Sequence, residues 1–201
     1  MKFLFLGTSA GWPLPRLNCS CRICRSSDSK DKRLRASLLI NDELLLDPGP
    51  DIYHELIRVK VDLSKLKAIA ITHGHHDHIF GLHDLPKIYE RKYEEIPVFL
   101  TVSTLNLVKR IFTFPLSPLK LKVVKENQQF EFGNYKITFV PVEHSTSAYA
   151  IKVKSNKLLA YIPDFRRILP SNKKTLRDLN FLILDGSSLS KIGQAGGHIT
   201  I

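Results

Sequence analysis

The feature that most constrains this chain is the heptapeptide Thr72-His73-Gly74-His75-His76-Asp77-His78. It places four histidines and an aspartate within six residues, directly after the short apolar run 68–71. Burying so many ionisable groups is costly unless they are paired or bind a metal. Neutral imidazole and carboxylate are preferred donors to Zn(II) and similar divalent ions. His73 and His75 stand two residues apart, so in an extended turn both can reach one ion. Asp77 and His78 fall on the next turn and can reach a second. The competing reading is a His-rich surface loop or a tag. A tag sits at a terminus and carries no such aspartate, so the metal reading is the stronger.

The same pattern recurs along the chain. The run 137–140 leads into Glu143-His144, 158–162 into Pro163-Asp164, 43–46 into Asp47-Pro48-Gly49, and 181–184 into Asp185-Gly186. With His73, five β-type runs lead into a metal donor or an acid able to support one. In α/β architectures sites gather at the carboxyl ends of strands. One such residue is noise; five point to a single cleft.

Apolar residues make up 43% and charged residues 24% of the 201, values that exclude disordered and fibrous classes and fit one domain over 1–201. Apolar patterning predicts strands at 2–6, 37–40, 43–46, 68–71, 98–100, 129–132, 135–141, 148–153, 158–162 and 181–184. Helices are predicted at 51–58, 81–93, 103–112 and 172–178. Asn41-Asp42 and Gly133-Asn134 read as tight hairpin turns. Residues 7–35, rich in Gly, Pro, Ser, Cys and Arg, form a long loop, functional or stapled by metal. The class is mixed α/β, with two sheets face to face and helices on the outer faces.

Three cysteines sit in one group, Cys19-Ser20-Cys21-Arg22-Ile23-Cys24. An odd number at this spacing suggests metal or redox chemistry rather than a disulfide framework. The 30 Lys and Arg against 19 Asp and Glu give a net charge of +11. That favours an anionic partner, although a solvated Lys-rich surface accounts for it equally well. No apolar run approaches the roughly 20 residues that cross a bilayer, and the N-terminal apolar stretch is short for a signal peptide. A cytoplasmic protein with no membrane partner is expected.

At this point the sequence resembles the metallo-β-lactamase fold superfamily, whose His-x-His-x-Asp-His signature is matched by His73, His75, Asp77 and His78. The resemblance implies an αβ/βα four-layer sandwich with a dinuclear site at one edge. It places His73, His75 and His144 on the first metal, Asp77 and His78 on the second, and Asp164 bridging both. Asp47 would support the site from behind; Asp185 could be a plain turn acid, but its position after an apolar run favours a similar supporting role. The segments Phe5-Leu6-Gly7-Thr8-Ser9, Cys19-x-Cys21-x-x-Cys24, 33–37 and 77–82 resemble the PhnP-like branch of cyclic-phosphate phosphodiesterases, with PqqB and the tRNA 3′-processing nucleases as neighbours. That likeness implies a structural zinc on Cys19, Cys21 and Cys24. The branch normally continues past Gly196-Gly197-His198 through a helix and strand that supply one more histidine to the second metal and another to the cysteine site. This sequence stops at Ile201, so both ligands are expected to be missing and the second ion to be weakly held.

The resulting expectation is a metal-dependent hydrolase. The first choice is a phosphodiesterase acting on a small cyclic phosphate or nucleotide diester through metal-activated hydroxide. Asp77 would orient the nucleophile, and His198 would bind phosphate or protonate the leaving oxygen. The cofactors would be two divalent ions, Zn or Mn, besides the structural zinc. A small anionic phosphate ester is the expected partner. A long nucleic acid is not, since no RNA-gripping insertion is visible; a homodimer is allowed. The alternatives are a thioester or lactone hydrolase on the same fold, or a non-enzymatic accessory protein of cofactor biosynthesis. Among the remaining residues, Arg33 and Arg35 could hold phosphate or pair with Asp28 and Asp31. Trp12 and Pro13 could line the cleft mouth or simply pack. His76 is expected to face solvent, and His54 and His83 to be ordinary helix or loop histidines.

Overall fold

The structure is a computed structural model in which residues 1–88 and 95–186 are described. His198 and the end of the helix expected at 81–93 lie outside them. Strand β1 (Phe3–Gly7) leads into the cysteine-bearing segment, which holds the one-turn helix α1 (Arg22–Arg25) and returns to β2 (Ser37–Ile40), antiparallel to β1. Strand β3 (Leu44–Leu46) follows across a turn in which Asn41 and Asp42 take φ of 51° and 62°. The Glu43 N–H donates to the Ile40 carbonyl at 2.9 Å, closing a turn whose two central residues are left-handed as type I′ requires, and Asn and Asp tolerate that region better than most.

From β3 onward the first sheet becomes parallel, with β4 (Ala68–Ala70), β5 (Ile96–Leu100) and β6 (Leu119–Val123) completing the order β1-β2-β3-β4-β5-β6. Parallel neighbours need crossover connections. These contain α2 (Ile52–Val59) between β3 and β4, then α3 (His76–Ile79) and α4 (Leu85–Ile88) after β4, then α5 (Val102–Ile111) after β5. The second sheet comprises β7 (Gln129–Phe132), β8 (Tyr135–Glu143), β9 (Ala148–Lys154), β10 (Leu158–Ile162), β11 (Arg167–Ile168) and β12 (Phe181–Leu184). Its order is β11-β8-β9-β10-β12, with β7 also paired to β8. The β7–β8 hairpin turns at Gly133, whose φ of 53° is the left-handed region that glycine enters without a Cβ penalty.

Residue parity builds the sandwich. Leu38, Ile40, Leu44, Leu46, Ala68 and Ala70 face inward from the first sheet and meet Ile137, Phe139, Ile151, Val153 and Leu159 from the second. The alternate residues Leu39, Leu45, Ile69, Ile71, Val98 and Leu100 face outward and are covered by Ile52 and Leu56 of α2, Ile79 of α3, Leu85 of α4 and Val108 of α5. On the far side, Val140, Val142, Ala150 and Ile162 pack against Phe165, Ile168 and Leu176. The central strands β2 to β5 of the first sheet are buried on both faces, so they read as continuous apolar runs.

Some expectations need correction. The helix expected at 172–178 is absent: a 3-10 turn covers Pro170–Asn172 and irregular turns follow. The Asn172 amide donates to the Pro141 carbonyl at 2.9 Å and Lys152 reaches the Thr175 carbonyl, so tethers to the sheet replace helical bonds. Over 81–88 the chain forms a 3-10 turn and then α4 instead of one helix. Strands β6 and β11 were not foreseen. The exposed lysines of β6 interrupt its apolar pattern, and β11 is only two residues long.

Candidate metal centre

Every expected ligand within the described residues arrives at the same end of the sandwich. His73 and His75 follow β4, and Asp77 and His78 lie on α3. His144 directly follows β8, and Asp164 follows β10. The approach is tight: a Cβ on Gly49 would lie 2.2 Å from the Asp77 carbonyl oxygen, so only glycine lets this loop pass behind α3.

Two donor groups result. His73, His75, His144 and Asp164 offer ligand atoms within 4.8 Å of one another, as do Asp77, His78 and Asp164. In the first group His75 Nδ1 lies 3.0 Å from His73 Nε2 and 3.3 Å from His144 Nε2. Asp164 Oδ2 lies 3.3 Å from His73 Nε2 and 3.7 Å from His144 Nε2. Ligands about 2.0–2.1 Å from a tetrahedral zinc stand about 3.3–3.4 Å apart. These spacings therefore fit a zinc-sized ion. In the second group His78 Nε2 lies 3.2 Å from Asp164 Oδ2 and 3.5 Å from Asp77 Oδ2. Asp164 thus stands between the two groups, where the bridging ligand was expected.

Behind the ligands lies a buried network. Asp47 is fully buried, with φ of 53° just past β3. Its Oδ1 accepts the Thr72 backbone N–H at 2.7 Å, and its Oδ2 accepts the Thr72 hydroxyl at 2.7 Å. The same Oδ2 lies 2.9 Å from His78 Nδ1, and Thr72 Oγ1 lies 3.0 Å from His73 Nδ1. Partners of this kind fix the ring orientation and tautomer of ligating histidines. Thr72 belongs to the motif, yet no role for it followed from spacing, because its contact to Asp47 spans 25 residues.

Protonation follows burial and charge. Burial pulls His73 down to about 4, leaving a neutral imidazole. Burial and the neighbouring His144 also lower His75. His78 moves the other way: burial opposes its charge, but Asp47 and the hydrogen bonds of Asp164, Asp47 and Asp77 outweigh it and raise it well above the usual value. Burial works against the Asp77 carboxylate too, yet the His78 hydrogen bond and charge bring it down to about 2. Asp164, despite burial, is held far below the carboxylate range by His73 and His78.

Asp185 is buried after β12, its N–H bonded to the Ile162 carbonyl at 2.9 Å, and it borders the same cavity as Asp164. Cys19, Cys21 and Cys24 bring their sulfurs within 4.8 Å of one another, as the cysteine-site reading requires, and none forms a disulfide. Arg35 is committed to Asp51, at 2.7 Å, and to the Gly11 carbonyl, at 3.0 Å, rather than to Asp28 or Asp31. His76 is exposed, as expected, and His54 in α2 and His83 in the turn after α3 are exposed too.

Residues 42–201 match the family described as the beta-lactamase superfamily domain, and the chain belongs to that family. Two levels of likeness refine this. A crystal structure of a diphosphatase from the PhnP family superposes with a TM-score of 0.87 at 29% identity, over 99% of this chain and 78% of that one. Zn(2+)-bound PqqB from Methylobacterium extorquens superposes at 0.81 with 22% identity, over 98% and 80%, a likeness of fold. By sequence the chain is 26% identical over 246 residues to coenzyme PQQ synthesis protein B of Methylobacterium radiotolerans, over 99% of this chain and 81% of the relative. It is 29% identical over 161 residues to ribonuclease Z of Lactiplantibacillus plantarum, over 77% and 49%. An octanoyltransferase of Porphyromonas gingivalis is 28% identical over 200 residues, 92% of this chain but 39% of the relative's length. The αβ/βα sandwich and the hydrolase-type family are thereby established. Among the described residues no helix is long and apolar enough to cross a membrane.

Proposed function

We propose that the chain is a metal-dependent phosphodiesterase acting on a small cyclic phosphate or nucleotide diester. The observation that carries this reading is the carboxylate of Asp164 standing between two donor groups, with Oδ2 3.3 Å from His73 and 3.2 Å from His78. Divalent ions held by these groups would supply Lewis acidity toward a phosphoryl oxygen and lower the pKa of water. The first group has four donors and the second three, one of them shared, so the first ion is the tighter. Asp77 remains ionised throughout the neutral range and can orient the attacking water and accept its hydrogen bond. Asp47 and Thr72 hold His78 and His73 in register. The +11 charge and the names of two relatives, a diphosphatase and a ribonuclease, support phosphate chemistry. Cys19, Cys21 and Cys24 hold a separate structural zinc in this reading.

The test is hydrolysis of bis(p-nitrophenyl) phosphate against a panel of thioesters and lactones, with Zn or Mn added. Phosphodiester turnover that Asp164→Ala abolishes is the expected result. Thioester or lactone turnover alone would replace the phosphodiesterase reading with an acyl hydrolase, and no turnover with metal bound would favour an accessory role.

A further inference from the structure

A cavity of about 470 Å3 opens beside the second donor group, within the size range of small-ligand sites. One of its walls is the backbone that leaves β1, bordered by Gly7, Thr8, Ser9 and Ala10. The next residue, Gly11, comes close to the metal ligands: a Cβ built on it would stand 3.2 Å from Asp77 Oδ2. Two arginines hold this wall. Arg58 of α2 donates to the Leu6 carbonyl near the end of β1. Arg35 donates through Nε to the Gly11 carbonyl at 3.0 Å and through Nη1 to Asp51 at 2.7 Å.

Glu55 of α2 occupies the same corner. It is 1% exposed, and neither carboxylate oxygen has a hydrogen-bond partner among the described residues. The backbone of Gly7 lies against its Oε1 and against the Arg35 carbonyl, with no room for a Cβ. Asp51 stands four residues before Glu55 and Arg58 three after it, so the three share one side of the helix. The ionisable groups that face Glu55 are Asp51 and Arg58 from α2, Arg35 from the segment leading into β2, and the Tyr161 phenol from β10; β1 carries none.

Folded proteins rarely bury a carboxyl group without a partner, so this one calls for an explanation. As the acid, Glu55 is uncharged and leaves both guanidiniums to the wall. As the carboxylate, it would be a buried charge with no hydrogen bond, a state relieved only by pairing. The cations that face it are the two that hold Leu6 and Gly11. We propose that Glu55 is an acid latch on the cavity wall: protonated, it lets Arg58 and Arg35 hold those carbonyls, and on losing its proton to solvent it draws a guanidinium away and frees residues 7–12. The latch acts on the wall beside Asp77 whatever ligand the cavity takes, so it stands independently of the phosphodiesterase reading.

Trp12 reports on this wall. It is the one tryptophan of the chain, it follows Gly11, and its carbonyl accepts the Ser9 hydroxyl at 2.5 Å. The experiment is a titration of Trp12 fluorescence anisotropy from about pH 6 to about pH 10, with zinc bound so that the nearby thiols do not titrate. In the wild type the anisotropy should fall in a single-proton step centred at about 8, where burial and then the Asp51 charge place Glu55. Glu55→Gln keeps the shape of the side chain and cannot ionise, so its anisotropy should stay at the low-pH value throughout. Glu55→Leu removes the polar group altogether and should be equally flat, which covers the case in which one substitution disturbs folding. Thermal midpoints at the acid end of the titration check both variants. A wild type without the step, a step that persists in a folded variant, or a variant flat at the alkaline value would overturn the proposal.

Discussion

Asp47 stands directly behind His78, with Oδ2 2.9 Å from Nδ1, while Nε2 of the same ring lies 3.2 Å from Asp164. One buried carboxylate therefore decides which nitrogen of His78 faces the donor group. Asp47→Asn leaves the shape intact but offers an amide where a carboxylate oxygen accepted. Affinity for the second ion should fall about 10–100-fold. Equilibrium dialysis with Zn or Mn measures it; an unchanged second affinity would show that Asp47 has no role in orienting the ring.

The first donor group should bind a divalent ion through His73, His75, His144 and Asp164. Elemental analysis of the His73→Ala/His75→Ala variant should show the loss of about one ion per chain relative to the parent, since two of four donors are gone. Unchanged metal content would refute the assignment.

The cysteine group has its own signature. The backbone N–H of Cys24, then the side chains of Cys19 and Cys24, lower Cys21 to about 7. A thiolate, not a thiol, is the nucleophile and the metal ligand. With zinc bound, all three thiols should resist iodoacetamide. After chelation one thiol should alkylate with a rate that rises with pH to a midpoint near 7, ahead of the other two. Three freely reactive thiols before chelation would remove the zinc reading.

Glu55 on α2 is buried, with neither carboxylate oxygen hydrogen-bonded among the described residues. Burial, then the charge of Asp51, raises it to about 8, with Arg58 and Arg35 opposing. Its folded pKa lies above the unfolded one. Its contribution is therefore fully present below about pH 4.5 and is lost as pH rises through about 8. Glu55→Gln removes that loss. The variant should melt higher than the parent at pH 8, by roughly 2–4 °C for each kcal/mol removed, and close to it at pH 4.5. Equal midpoints at both pH values would mean that Glu55 is not buried in its acid form.

Much of the site was legible because its donors follow apolar runs and share one motif: His73, His75, Asp77 and His78 declare themselves by type and spacing. His144 and Asp164 were legible only as strand-end residues, and their meeting depends on how two sheets face each other. In the fold, parity exposed most strands, since a buried face demands alternation or a continuous apolar run. The segment 172–178 misled because its spacing suits a helix while Asn172 is satisfied by the Pro141 carbonyl on β8. Tertiary bonds there outweighed a weak local preference.

The ligands are drawn from both halves of the sandwich: His73, His75, Asp77 and His78 follow a strand of one sheet, while His144 and Asp164 follow strands of the other. An ion shared among them is a clasp across the interface. The sheets cannot part there while it holds, so opening must wait for the ion to leave. The lifetime of the folded protein would then be set by a dissociation rate rather than by equilibrium stability alone. Metal starvation would shorten the life of the molecule itself, beyond whatever it does to turnover.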